Sequence, residues 1–257
     1  MPYARAADGT RLFYSVEGSG PPLLLIAGQS NSSRWWSQVR PEFSERFTTI
    51  VTDHRGTGSS DKPDTPYSTR MFAADCVAIL DDAGIGAAHV YGTSMGGRIA
   101  QWIAAEHGGR VDRLVLGCTS PGGPHAVERG AEVRRSLAQV DPMKARRALE
   151  ELMYTPAYRG PFNTLGDPRM PPYARKRHLF ASAEHDAWDV LPSITAPTLV
   201  VHGTDDVFNP TANAPLITER IPGARMHLLE GARHGYFEEF AGEATPLVAG
   251  FLLRISS

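Results

Sequence analysis

The sequence predicts an α/β protein, a mostly parallel sheet with helices on both faces and one helical insertion. Three observations carry this. Short apolar or β-branched runs alternate with stretches of helical spacing in the first half and again near the end. Leu23 to Ala27 is apolar without a break, as a strand buried on both faces reads. Between Thr119 and about Ile194 the alternation stops and no strand-like run occurs.

Taken in order, Leu12 to Val16 alternates like an exposed-edge strand, and Phe47 to Thr52 is a β-branched run ending at the turn-rich Asp53 to Ser60. Phe72, Cys76, Ile79, Leu80 and Ala83 fall at helical spacing, with Gly84 as the C-terminal cap. The strand His89 to Gly92 leads into a helix from Met95 to His107, and Leu114 to Gly117 is another strand. In the insertion, Asp141-Pro142 marks a helix start, followed by an apolar stripe of Met143, Leu149, Leu152 and Met153. Pro156, Pro161, Pro168, Pro171 and Pro172 break the rest into short pieces. The rhythm resumes with Thr198 to His202, a helix from Ala212 to Ile221, the strand Met226 to Leu229 and a last helix near Glu243 to Arg254.

Composition narrows the function classes. The 257 residues carry 26 Lys+Arg against 28 Asp+Glu, a net charge of −2, which argues against nucleic acid or an anionic membrane as the main partner. Nearly all the basic residues are arginines scattered along the chain, which reads as background composition. Two cysteines, Cys76 and Cys118, do not make a disulfide framework, so a reducing compartment is expected. The N-terminal stretch has Arg5, Asp8 and Arg11 where a secretory signal needs apolar residues, and no run is long enough for a transmembrane helix. The expectation is a soluble, cytoplasmic protein.

The sharpest chemical signal is Gly92-Thr93-Ser94-Met95-Gly96-Gly97, between an expected strand and an expected helix. A tight strand-to-helix turn would push the Ser94 hydroxyl out at the sheet's C-terminal edge, and glycines two residues to either side remove the clash it creates. The following helix would aim its dipole and the Met95 N–H at an oxyanion. A serine nucleophile also needs a base and a carboxylate. After one later strand comes His202-Gly203-Thr204-Asp205-Asp206, and after the next Glu230 to Gly235, containing His234. Both loops leave C-terminal strand ends, where ligands gather in open α/β sheets.

These blocks, with Asp53-His54-Arg55-Gly56-Thr57-Gly58-Ser59, resemble the α/β-hydrolase superfamily over nearly the whole chain. They are most similar to small bacterial esterases of the enol-lactonase and cofactor-free haloperoxidase or perhydrolase branches. The resemblance implies a core of residues 1–120 and 194–257, with 121–193 as a small helical cap after the sixth strand. It implies the triad Ser94, Asp206 and His234. The choice of Asp206 over Asp205 follows the family's placement of the acid four residues before a proline, here Pro210. The second oxyanion N–H falls on Gln29, although this chain reads Ala27-Gly28-Gln29 where relatives usually carry His-Gly.

Trp35, Met153, Phe208 and Tyr236 are candidate substrate-pocket residues, as is the side chain of Met95; Trp36 and Cys76 read as core. Spacing of the nine histidines offers no metal-binding pattern, and no Gly-rich dinucleotide or phosphate loop appears, so no metal or cofactor is expected. Arg134-Arg135, Arg146-Arg147 and Arg175-Lys176-Arg177 read as solvated helix faces. The expected partner is a small, partly apolar substrate, hydrolysed as an ester, thioester or lactone. The same triad could instead serve perhydrolysis, carbon–carbon bond hydrolysis or a lyase or cyclase reaction. A small-molecule sensor with negligible turnover is a further alternative.

Overall fold

The computed structural model describes residues 2–254. Among them eight strands form one sheet: β1 (Tyr3–Arg5), β2 (Arg11–Glu17), β3 (Pro22–Ile26), β4 (Thr48–Thr52), β5 (Ala88–Thr93), β6 (Val111–Gly117), β7 (Thr198–Gly203) and β8 (Arg225–Leu229). Their spatial order is β1-β2-β4-β3-β5-β6-β7-β8. The β1–β2 and β2–β4 pairs are antiparallel and the others parallel.

The unbroken apolar runs have a direct cause. Alternate residues of β3 and β5 face opposite layers, and both layers are covered. Leu24, Ile26 and Val90 join the core beneath α2 (Thr69–Asp82) and α3 (Met95–Glu106). Leu23, Leu25 and Tyr91 join the other core, with Phe43 of α1 (Arg40–Ser44) and Val248 and Leu252 of α9 (Ala241–Leu252). The C-terminus of α2 follows its signal: Gly84 takes φ +69, and Ile85 N–H reaches back to Leu80 O at 2.8 Å.

Between β6 and β7 run α4 (Ala131–Leu137), α5 (Pro142–Met153) and α6 (Pro172–Ala183). Asp141 caps α5, its carboxylate accepting from Met143 N–H at 2.8 Å. After β7 come α7 (Asn213–Arg220), β8, and α8 (Tyr236–Glu239).

Three expectations change. Leu12 to Val16 is not the sheet edge: β1 pairs outside it and buries Leu12, Phe13 and Tyr14, leaving only the far end exposed. Three residues of β1 are too few to show a period. Pro171-Pro172 does not break the chain into pieces but starts α6, where Pro172 occupies a first-turn position whose N–H would have no partner anyway. Met143 is 73% exposed and leaves the stripe, which the buried Leu152 and Met153 carry. Trp35 and Trp36 lie on a single 3₁₀ turn, Ser33–Trp36.

Candidate active site

Ser94 joins β5 to α3 with φ 57 and ψ −124, a conformation L side chains rarely adopt. The two flanking glycines permit this for different reasons. A Cβ on Gly92 would strike the Gly96 carbonyl, so strand and helix could not approach. A Cβ on Gly96 would strike the Ile26 carbonyl at the end of neighbouring β3. The turn is pinned by Ser94 N–H to Gly117 O and by Thr119 Oγ1–H to Ser94 O, both 2.8 Å. Met95 is the first residue of α3, where an N–H has no intrahelical acceptor. Its side chain is 1% exposed and packs in the core, so it is not a pocket residue as expected: α3 turns this face toward β3.

Asp206 and His234 meet across the loops after β7 and β8, Asp206 Oδ2 accepting from His234 Nδ1 at 2.7 Å. Asp205 is exposed, and its carboxylate accepts from its neighbour Thr204. Asp206 Oδ1 accepts Phe208 N–H at 3.0 Å and Asn209 N–H at 2.9 Å. Burial would raise this carboxyl, but the two imidazoles beside it outweigh burial and hold it well below the usual range. His234 Nε2 is buried without a hydrogen-bond partner among the described residues. Its ring and Ser94 line the same cavity, of about 310 Å³.

Gln29, Trp35, Met153 and Phe208 also line that cavity. Trp35 is otherwise buried, its indole N–H donating to Thr93 Oγ1 at 2.8 Å, and the Phe208 ring meets His234 edge-on at 4.7 Å. Tyr236 does not line the cavity, contrary to its expected place in the pocket. After Gly235 the chain turns into α8 beneath the sheet, where the Tyr236 hydroxyl lies 3.0 Å from that of Tyr91. Only a glycine at 117 leaves room for it.

The sequence reading missed several neighbours. His202 shares Asp206: its Nε2 lies 3.1 Å from Oδ2 and 2.8 Å from Asn209 O, two acceptors, so that nitrogen carries the proton. Arg98, Arg129 and Arg175 line the cavity, although the arginines had read as background and as solvated faces. Arg98 was findable, one turn from Ser94 along α3; Arg129 and Arg175 come from the insertion, whose path over the sheet has no local signature. Cys118 is fully buried and its thiol is pushed well above the ordinary range, chiefly by burial.

The loop after β3 is held from the insertion. Ser30, at φ 59, donates its N–H to His178 Nδ1 at 3.2 Å, and its carbonyl accepts Asp167 N–H at 2.8 Å. Asn31 bonds Gly166 N–H at 3.0 Å and Thr164 O at 3.3 Å. Among the described residues no group of three or more His, Cys, Asp or Glu side chains is placed to hold a metal ion, and no helix is long and apolar enough to cross a membrane.

This sheet order, with a strained serine at the strand-to-helix turn and an Asp–His pair at later strand ends, defines a class. The chain belongs to the α/β-hydrolase-fold family, whose model matches residues 21–151. A 2-hydroxymuconate semialdehyde hydrolase from Pseudomonas sp. (strain CF600) is 30% identical over 263 residues, covering 96% of this chain and 92% of the relative. A non-heme chloroperoxidase from Streptomyces lividans is 29% identical over 270 residues, covering 96% and 97%. Among solved structures, the enol-lactonase from Burkholderia xenovorans LB400 superposes with a TM-score of 0.79 at 26% identity, covering 98% of this chain and all of that one.

Proposed function

We propose that the protein is a serine hydrolase that cleaves a carboxylic ester, thioester or lactone of a small substrate through an acyl-enzyme on Ser94. The observation that carries the reading is His234: Nδ1 is bonded to Asp206 while Nε2 is left without a partner at the cavity that Ser94 lines. His234 Nε2 would take the Ser94 proton as the hydroxyl attacks the carbonyl, then pass it to the leaving oxygen or sulfur. Water, activated by the same nitrogen, would release the acid and restore the serine. Asp206 would fix the tautomer and stabilise the imidazolium, with His202 holding the carboxylate in place. The N–H groups of Gln29 and Met95 would receive the developing oxyanion.

Residues 121–193 serve in this reading as a cap closing the cavity, whose volume suits a small substrate. The unpaired, buried Cys76 and Cys118 fit a reducing, cytoplasmic setting. The test is hydrolysis of graded acyl esters and simple lactones by wild type and Ser94→Ala, with labelling by a fluorophosphonate. Turnover and labelling lost together in the variant support the reading; turnover that survives Ser94→Ala overturns it.

The chloroperoxidase relative supports a second reading, acyl transfer from Ser94 to hydrogen peroxide. Peracid formed at the expense of acid when peroxide is added would favour it. Undiverted hydrolysis would exclude it.

A further inference from the structure

Three arginines and no acidic side chain line the cavity, in a chain whose net charge is −2. Among the described residues none of the three forms an ion pair, whereas Arg55, buried elsewhere, is paired with both Asp8 and Asp75. Arg98 stands one turn beyond Ser94 on α3. It donates through Nη1 to Ser182 Oγ and through Nη2 to Ser120 Oγ, each at 2.9 Å, and through Nη1 to Ser182 O. Its Nε–H and one Nη2–H stay uncommitted among the described residues. Arg129 lies with its guanidinium carbon 4.4 Å from the centre of the Phe208 ring, the ring that meets His234. The two cations line the same cavity as Ser94 and His234, one on the core and one on the insertion. Arg175 is exposed at the cavity wall.

Burial, with the repulsion of Arg129 added, lowers the Arg98 guanidinium to about 10, and burial lowers Arg129 as well. Both stay charged at neutral pH. Two acids act on them, the exposed Glu128 on both and the buried Asp206, bonded to His234, on Arg129, and neither lines the cavity. Two partly buried guanidinium groups that face one cavity without a carboxylate leave a desolvation cost that an anionic ligand would offset.

We infer that Arg98 and Arg129 form an oxyanion-binding subsite, so that the substrate bears an ionised carboxylate or phosphate in addition to the ester or lactone it presents to Ser94. This deepens the proposed hydrolase reading and rests on it. It also accounts for a cavity that is apolar at Leu149, Met153 and Leu165 yet cationic at Arg98 and Arg129.

The experiment compares three esters of matched length: mono-4-nitrophenyl glutarate, its neutral methyl ester and the corresponding phosphonate. Wild type is expected to favour an anionic ester by about tenfold or more in kcat/KM, with the advantage shrinking as salt is raised. Which anion wins separates carboxylate from phosphate. In Arg98→Gln, Arg129→Gln and the double variant the anionic-to-neutral ratio should fall by about 10- to 100-fold. In Arg147→Gln, an exposed control paired with Glu151, it should stay at the wild-type value. A wild-type ratio near one, with Ser94-dependent turnover, overturns the subsite and leaves the hydrolase reading standing. Binding of monomethyl glutarate to Ser94→Ala keeps the two separable: weakening by the Arg98 and Arg129 substitutions supports the subsite even without turnover. Binding indifferent to both arginines overturns it.

Discussion

Two loops reach the cavity with a serine at positive φ, and they are held there by opposite means. At Ser94 the constraint is steric and lies within the sheet and its first covering helix: Gly92, Gly96 and the Ile26 carbonyl leave one path for the chain. At Ser30 the constraint is a set of polar bonds from the insertion, from His178, Asp167 and the backbone around Thr164 to Gly166. Both strained residues persist because their surroundings over-determine them. The elbow is rigid by exclusion, while the loop carrying the proposed Gln29 donor is rigid only while the insertion is docked on it. The proposed nucleophile and the proposed Gln29 donor therefore depend on different parts of the fold.

The largest expected effect breaks the elbow chemically: Ser94→Ala should lower kcat/KM for small acyl esters by about 10⁴-fold or more with an unchanged melting temperature. Gly96→Ala should break it sterically. The new Cβ meets backbone that cannot yield cheaply, so a loss of about 3 kcal/mol or more is expected in urea unfolding, with activity lost too. Breaking the other loop should cost less. His178→Leu removes the acceptor for Ser30 N–H and the donor to Arg55 O, and is expected to lose about 2 kcal/mol. Its kcat should fall about 10- to 100-fold with KM changed far less, because a displaced donor acts on the transition state. His178→Asn, which keeps an acceptor near Nδ1, should recover part of kcat; equal kcat in both variants would argue that His178 is only structural.

A smaller effect sharpens the comparison through pH. Glu238 of α8 accepts from Tyr154, at the end of α5, and from Asn163 at 3.0 Å, tying the His234 side of the site to the insertion. Burial raises its carboxyl from the ordinary 4.5 to about 7, against the lowering by those two hydrogen bonds. A raised folded value means that the protonated form is the one the fold favours. Its contribution is full below about pH 4.5 and is lost as the pH rises through 7. Wild type should therefore lose roughly 1–3 kcal/mol of stability between about pH 5 and 8 relative to Glu238→Gln. Parallel melting curves against pH for the two proteins would sink the idea.

How much of this was readable beforehand follows from where each constraint acts. Sequence alone determined the parallel sheet and the elbow, because these rest on local rules, whereas the choice of Asp206 and His234 as partners of Ser94 came from the resemblance to the α/β-hydrolase superfamily. A strand covered on both faces must be continuously apolar, and a serine forced into a strained turn needs glycine two residues to either side. Tertiary structure decided the rest. Tyr236 follows His234 by two residues, yet it turns under the sheet because Gly117 leaves room for its hydroxyl. His202 joins Asp206 only because β7 ends in a turn that folds the carboxylate back onto it. Arg129 and Arg175 look like any solvated arginines until the insertion crosses the sheet and lays them beside Arg98. Steric exclusion acts between near neighbours in the chain and so leaves a pattern in it. Charge in a cavity is collected from distant segments, and no local pattern records where the chain will bring them together.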